Sequence, residues 1–177
     1  MLGRRFIVAA ALIMPVCAAA QEGDSLHDLL VQYRCPVVDR LEQVYAAGDP
    51  ANSRHRFLAI TVPHAMQAYV QCIFHDNNTK LYCEAASGFY YDGPGEPRTF
   101  HHPTSAIAAL GRLGFSTDDS AGNFNVDLDV SDPPNFNTLA DFMLKALHDG
   151  YGARADMKLR FNAPFAPRPT SKCIPVS

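Results

Sequence analysis

The chain has 177 residues, 47% hydrophobic and 19% charged, with no tryptophan and five cysteines. That apolar fraction is too high for a disordered chain and fits one packed domain. A net charge of −3 and a pI near 6.1 lack the basic balance that marks most nucleic-acid binders, so no nucleic-acid partner is expected.

Residues 1–20 read as an export signal. Arg4 and Arg5 precede an apolar run from Phe6 to Val16, and Ala18-Ala19-Ala20 supplies small residues for cleavage before Gln21. The run is shorter than the ~20 residues a bilayer requires, so no membrane span is expected. Val16 is also too large to precede a lipidated Cys17. Cleavage removes Arg4, Arg5 and Cys17, which takes the net charge from −3 to −5 and leaves Cys35, Cys72, Cys83 and Cys173. An even cysteine count in an exported chain predicts two disulfides. Zinc is the rival reading, but no C-x-x-C or H-x-x-x-H spacing supports it. The rest divides into one domain over 21–163 and a proline-rich tail over 164–177.

Ser25 is placed to cap a helix, with Asp28 at the third position and Leu26, Leu29, Leu30 and Tyr33 on one face. Pro36 is expected to break or kink it. Val37, Leu41, Val44 and Tyr45 carry a second stretch to Gly48-Asp49-Pro50. Three strand-like runs follow: Phe57 to Val62, Tyr69 to Phe74 and Lys80 to Ala86. The last two flank the polar tip His75 to Thr79, a hairpin signal. A turn centred on Asn77-Asn78 sets Cys72 opposite Cys83, close enough to join. Cys35 then pairs with Cys173 by elimination.

Beyond the Gly/Pro loop Asp92 to Pro97, a helix is expected from Thr104 or Ser105, with Ile107, Leu110 and Leu113 as its apolar stripe and Gly114 as its cap. From Asn123 to Val130 apolar and polar residues alternate, which predicts a strand with one wet face. Leu139, Phe142, Met143, Ala146 and Leu147 recur at helical spacing up to Gly150 or Gly152. Met157 to Phe161 could add a short strand, and the tail is expected to be held only through Cys173. The fold class is therefore α+β: a mainly antiparallel sheet flanked by helices, in the order helix, three strands, helix, strand, helix.

Catalytic signatures are missing. There is no G-x-S-x-G or S-x-x-K, and two disulfides would consume every mature cysteine. His101-His102 reads as a loop pair, His75-Asp76 as a turn and His148-Asp149 as a helix end. Asp127 and Asp129 share a strand face, either solvated or presented to a basic partner. Asn77-Asn78-Thr79 matches a glycosylation sequon but is read as the turn itself. No metal and no cofactor is expected.

Several fragments, in order, carry a resemblance: Tyr69-Val70-Gln71, Glu84-Ala85, Leu113-Gly114-Phe115, Gly122-Asn123-Phe124, Leu139-Ala140-Asp141-Phe142 and Tyr151-Gly152. Together they resemble the peptide-binding superfamily of type III secretion chaperones and YbjN-like (TY-Chap) proteins, over roughly residues 57–152. The resemblance implies a sheet-and-helix surface that binds protein or peptide without catalysis. Export and the cysteines depart from that pattern, so the task of meeting substrates before secretion does not carry over. Separately, Ser87-Gly88-Phe89-Tyr90-Tyr91 is similar to the Ser-Gly-x-x-Tyr motif of periplasmic lysozyme inhibitors. The plainer alternative is that Gly88 bends the chain and Phe89 to Tyr91 pack or line a groove.

The expectation is a periplasmic, non-enzymatic protein that binds a secreted toxin, as an immunity protein does against a type VI effector. A periplasmic chaperone or lysozyme inhibitor is the alternative, and a hydrolase the lesser one. Ser87, Tyr90, Tyr91, Asp127 and Asp129 are the expected partner contacts.

Overall fold

A computed structural model describes residues 25–48, 51, 54–63, 65–92 and 99–173. The export signal and most of the Gly/Pro loop lie outside them. Ser25 accepts a hydrogen bond from the Asp28 amide at 3.2 Å and starts helix α1 (Leu26–Ala46). Of the two outcomes expected at Pro36, the break is corrected: α1 runs continuously from Leu26 to Ala46 through it. A mid-helix proline costs roughly 3 kcal/mol. Burial of Leu29, Val37, Leu41 and Val44 in the core offsets that loss. Arg40 adds a bond from its guanidinium to Pro36 O at 3.0 Å.

The sheet comprises β1 (Phe57–Thr61), β2 (Tyr69–His75), β3 (Lys80–Ala85), β4 (Phe124–Asp129) and β5 (Arg160–Asn162). Its order is β4-β3-β2-β1-β5, and every neighbouring pair is antiparallel. The hairpin register is the expected one. Cys72 faces Cys83 with Cα atoms 4.1 Å apart, and the two are joined. Asp76, Asn77 and Asn78 turn the chain at φ of 50°, 54° and 68°, a left-handed run that Asp and Asn tolerate better than other side chains.

Helix α2 (Thr104–Arg112) packs on α3 (Phe136–Tyr151). Their approach is close because Gly150 lacks a side chain: a Cβ there would sit 2.9 Å from Leu110. Asn135 caps α3 at its start and Gly152, at φ 67°, at its end. The short strand falls later than expected. Met157 to Leu159 form a turn, closed by Leu159 N–H on Met157 O at 3.1 Å, so pairing with β1 begins only at Arg160.

The second disulfide, Cys35–Cys173, brings the tail onto α1 with a Cα separation of 5.5 Å. The tail is held by more than this bond, contrary to expectation. Thr170 donates to the buried Asp39 carboxylate from its amide at 2.7 Å and from its hydroxyl at 2.5 Å. Among the described residues, no helix is long and apolar enough to cross a membrane.

Strand alternation gives the sheet two unlike faces. Leu58, Ile60, Val70, Cys72, Phe74, Leu81, Cys83, Ala85 and Phe124 are buried in one core with α1 and α3. The opposite face carries four rows read from the register: His75-Lys80-Asp129, Phe57-Ile73-Tyr82-Asp127, Asn162-Ala59-Gln71-Glu84-Asn125 and Arg160-Thr61-Tyr69. Among the described residues, no helix or further strand packs on that face.

Candidate functional site

At the exit of β3 the chain passes through Ser87, Gly88, Phe89, Tyr90 and Tyr91. Ser87 is buried, at 2% exposure, and its hydroxyl donates to Gly122 O at 2.8 Å while accepting from the Phe89 amide at 3.1 Å. Its own amide donates to Asn123 Oδ1 at 3.3 Å, and Asn123 Nδ2 donates to Tyr69 Oη at 2.7 Å. Ser87 is therefore corrected from a partner contact to an internal tie, because it is buried and its hydroxyl donates and accepts inside the fold. What it ties down is the loop bearing Tyr90 and Tyr91, which are 61% and 43% exposed.

Gly88 bends the loop at φ 89°, with Phe100 packed against it where a Cβ would meet a ring carbon at 2.7 Å. Alanine at this position combines backbone strain with overpacking. Gly88→Ala is expected to cost about 2–3 kcal/mol, read as a lower urea midpoint at unchanged m-value. A change below 0.5 kcal/mol would contradict the packing described.

An aromatic chain runs inward from the loop. Tyr91 lies 5.3 Å from Phe100, Phe100 4.8 Å from His102, and His102 5.1 Å from Tyr151, ring centre to ring centre. Tyr151 donates to Ala86 O at 2.7 Å, and burial raises its pKa. On the outside, Tyr91 Oη reaches Met66 Sδ at 3.3 Å, and Met66 is 57% exposed. Behind Met66, a cavity of about 270 Å³ opens between His102, Ala106 and Tyr151.

Burial lowers the His102 pKa below its ordinary value, against the opposing pull of the Gln67 and Ala86 backbone. The native state thus refuses a proton that the unfolded chain accepts below about pH 6.5. No stability is lost above that pH, and the loss grows as pH falls toward the lower folded value, at no more than about 1.4 kcal/mol per unit. Unfolding free energies of wild type and His102→Phe, measured from pH 7.5 to 5.5, should show a steeper decline in wild type. Parallel curves would refute a buried neutral imidazole.

Asp127 and Asp129 stand elsewhere. His75 Nε2 lies 2.9 Å from Asp127, and Lys80 Nζ lies 2.9 Å from Asp129 and 3.8 Å from Asp127. The bond to Asp129 raises the Lys80 pKa. Their rows meet β3 at Tyr82 and Lys80, three and five residues from the strand end that emits the tyrosine loop, or roughly 10 and 17 Å. The structure thus brings Tyr90 and Tyr91 together and leaves the two aspartates toward the hairpin end, paired with His75 and Lys80.

Sequence reasoning missed Tyr69 and Tyr82, both on the uncovered face. The signal was present: alternation sets Tyr69, Gln71 and Ile73 opposite Val70, Cys72 and Phe74, so placing the cysteines inward places the tyrosines outward. Tyrosine is the residue type that dominates recognition surfaces, offering a large apolar ring with a polar tip and few rotamers to freeze. Among the described residues, no three His, Cys, Asp or Glu side chains gather as they would around a metal ion. Compared with protein-family models, with curated proteins and with solved structures, the chain matches none.

Proposed function

We propose that this chain is an exported, non-enzymatic protein that binds and neutralises another protein, specifically an immunity protein against a toxin delivered to the periplasm by a type VI system. One observation carries the reading: an uncovered sheet face bearing Tyr69, Ile73 and Tyr82, continuous with a tied-down loop that exposes Tyr90 and Tyr91 beside Met66. Rigid aromatic anchors on a preorganised loop reduce the ordering cost of association. Two disulfides accord with an oxidising compartment. The resemblance of residues 57–152 to peptide-binding chaperones points to the same class of activity.

The test is growth protection. The toxin encoded beside this chain is directed to the periplasm with and without it. Wild type should restore growth, and the Tyr90→Ala/Tyr91→Ala variant should not, although both accumulate as folded, oxidised protein. Failure of wild type against every neighbouring effector would overturn the reading.

A further inference from the structure

Among the described residues His102 is the only buried histidine, at 9% exposure. Its ring meets Phe100 and Tyr151 edge to face, with centres 4.8 and 5.1 Å away. Its Nε2 is closed off from solvent and has no hydrogen-bond partner among the described residues. No charged side chain compensates the ring. Burial keeps the Tyr151 hydroxyl of α3 protonated, α2 begins with Thr104, Ser105 and Ala106, and Gln67 and Ala86 act through their backbone.

A neutral imidazole suits that site and an imidazolium does not. Protonation makes both ring nitrogens donors, and a buried charged donor without an acceptor costs more than a neutral one. A protonated ring therefore favours an arrangement that places it in water. Room lies alongside: the cavity of about 270 Å³ is lined by His102, Ala106, Tyr151 and Met66, and Met66 is 57% exposed. What the ring supports is the tyrosine loop. Phe100 lies between His102 and Tyr91, and packs so closely on Gly88 that a Cβ there would meet it at 2.7 Å. Withdrawing the imidazole removes the backing of Phe100, and with it the contact that holds Gly88 and Tyr91. The core between the sheet, α1 and α3 is built from other residues.

We propose that His102 is an acid-sensitive latch on the tyrosine loop. Neutral, it holds Phe100 and the segment from Ser87 to Tyr91 closed; protonated, it leaves its site and frees that segment while the sheet and α3 stay folded. Local opening of this kind is distinct from the global loss of stability that any buried neutral histidine brings. The latch depends on where the loop is held, not on what the loop binds, and its test needs no partner.

Hydrogen exchange of the oxidised protein is followed by mass spectrometry at pH 7.5 and 5.5, corrected for the intrinsic pH dependence of amide exchange. The reporters are the amides of Ser87, Phe89 and Tyr91, which donate to Asn123 Oδ1, Ser87 Oγ and Gly88 O. In wild type their protection should fall about three- to ten-fold, ten being the limit for one proton on a histidine of ordinary pKa near 6.5. Amides of α3 and β2 should change less than two-fold. His102→Phe keeps a ring and loses the titration, so its loop should also change less than two-fold. His101 is exposed and near Asp92, whose bonds to Thr99 lower its pKa and keep it ionised across this window. His101→Gln should therefore respond like wild type. The latch is refuted if the wild-type loop changes less than two-fold, or if loop and α3 lose protection together. It is equally refuted if His102→Phe responds like wild type or His101→Gln removes the response. Should His102→Phe fail to fold, the contrast between loop and α3 in wild type, with His101→Gln, decides the matter.

Discussion

Cys35→Ser/Cys173→Ser lowers the unfolding free energy by about 4 kcal/mol or more, against about 3 kcal/mol for the loop closed by Cys72–Cys83. The sequence separations, 138 and 11 residues, carry the difference. A longer closed loop removes more conformations from the unfolded chain, so the bond between α1 and the tail restrains it most. Loss of the hairpin bond adds a packing defect, since Cys72 and Cys83 are buried. Native contacts of the tail with Asp39 survive the first substitution, so the folded state should persist, less stable. Urea denaturation of each double variant gives the comparison. A loss under 1 kcal/mol for the Cys35–Cys173 pair would mean that the tail contributes little to folding.

Arg56→Met is expected to cost about 3–5 kcal/mol. Arg56 is fully buried, and its guanidinium donates to Tyr45 O at 2.7 Å and to Ala47 O at 2.9 Å. Tyr45 lies in the last turn of α1 and Ala47 is its cap, where the carbonyls have no intrahelical donors and the helix dipole is negative. Methionine keeps much of the volume and supplies no donor, leaving buried carbonyls unsatisfied. The same denaturation measurement reads the effect, and a loss below 1 kcal/mol would contradict the capping role.

The elements legible in the sequence share a local cause. Alternation between Phe124 and Asp129, the helical spacing from Leu139 to Leu147, and the polar tip between Cys72 and Cys83 each depend on residues close in the chain. From that tip follow the register, one disulfide directly and the other by elimination. The features that escaped depend on distant partners. Pro36 breaks isolated helices, yet here the buried face of α1 outweighs it. Nothing near Arg56 shows that a helix end about ten residues earlier needs its donors. Ser87 belongs to a motif that looks exposed, but only the arrival of Gly122 and Asn123 from β4's approach buries it. The candidate site was half legible for this reason: Tyr90 and Tyr91 were singled out, whereas Tyr69 and Tyr82 required knowing which face the helices cover.

The aspartates and the tyrosines, expected to act together, make different predictions. Asp129 is an exposed member of a surface ion pair, the kind that solvent screens and that contributes little to stability. Tyrosines at the centre of an interface are the residues whose truncation costs about 2 kcal/mol or more, a factor near 30 each. The affinity of the oxidised protein for the toxin that we propose it neutralises therefore decides between them, measured by titration calorimetry on wild type, Tyr90→Ala/Tyr91→Ala and Asp129→Ala. The tyrosine variant should bind at least 100-fold more weakly, and Asp129→Ala within about three-fold of wild type. A tyrosine variant that binds as tightly as wild type would contradict the placement of the binding surface on the tyrosine-bearing end of the sheet.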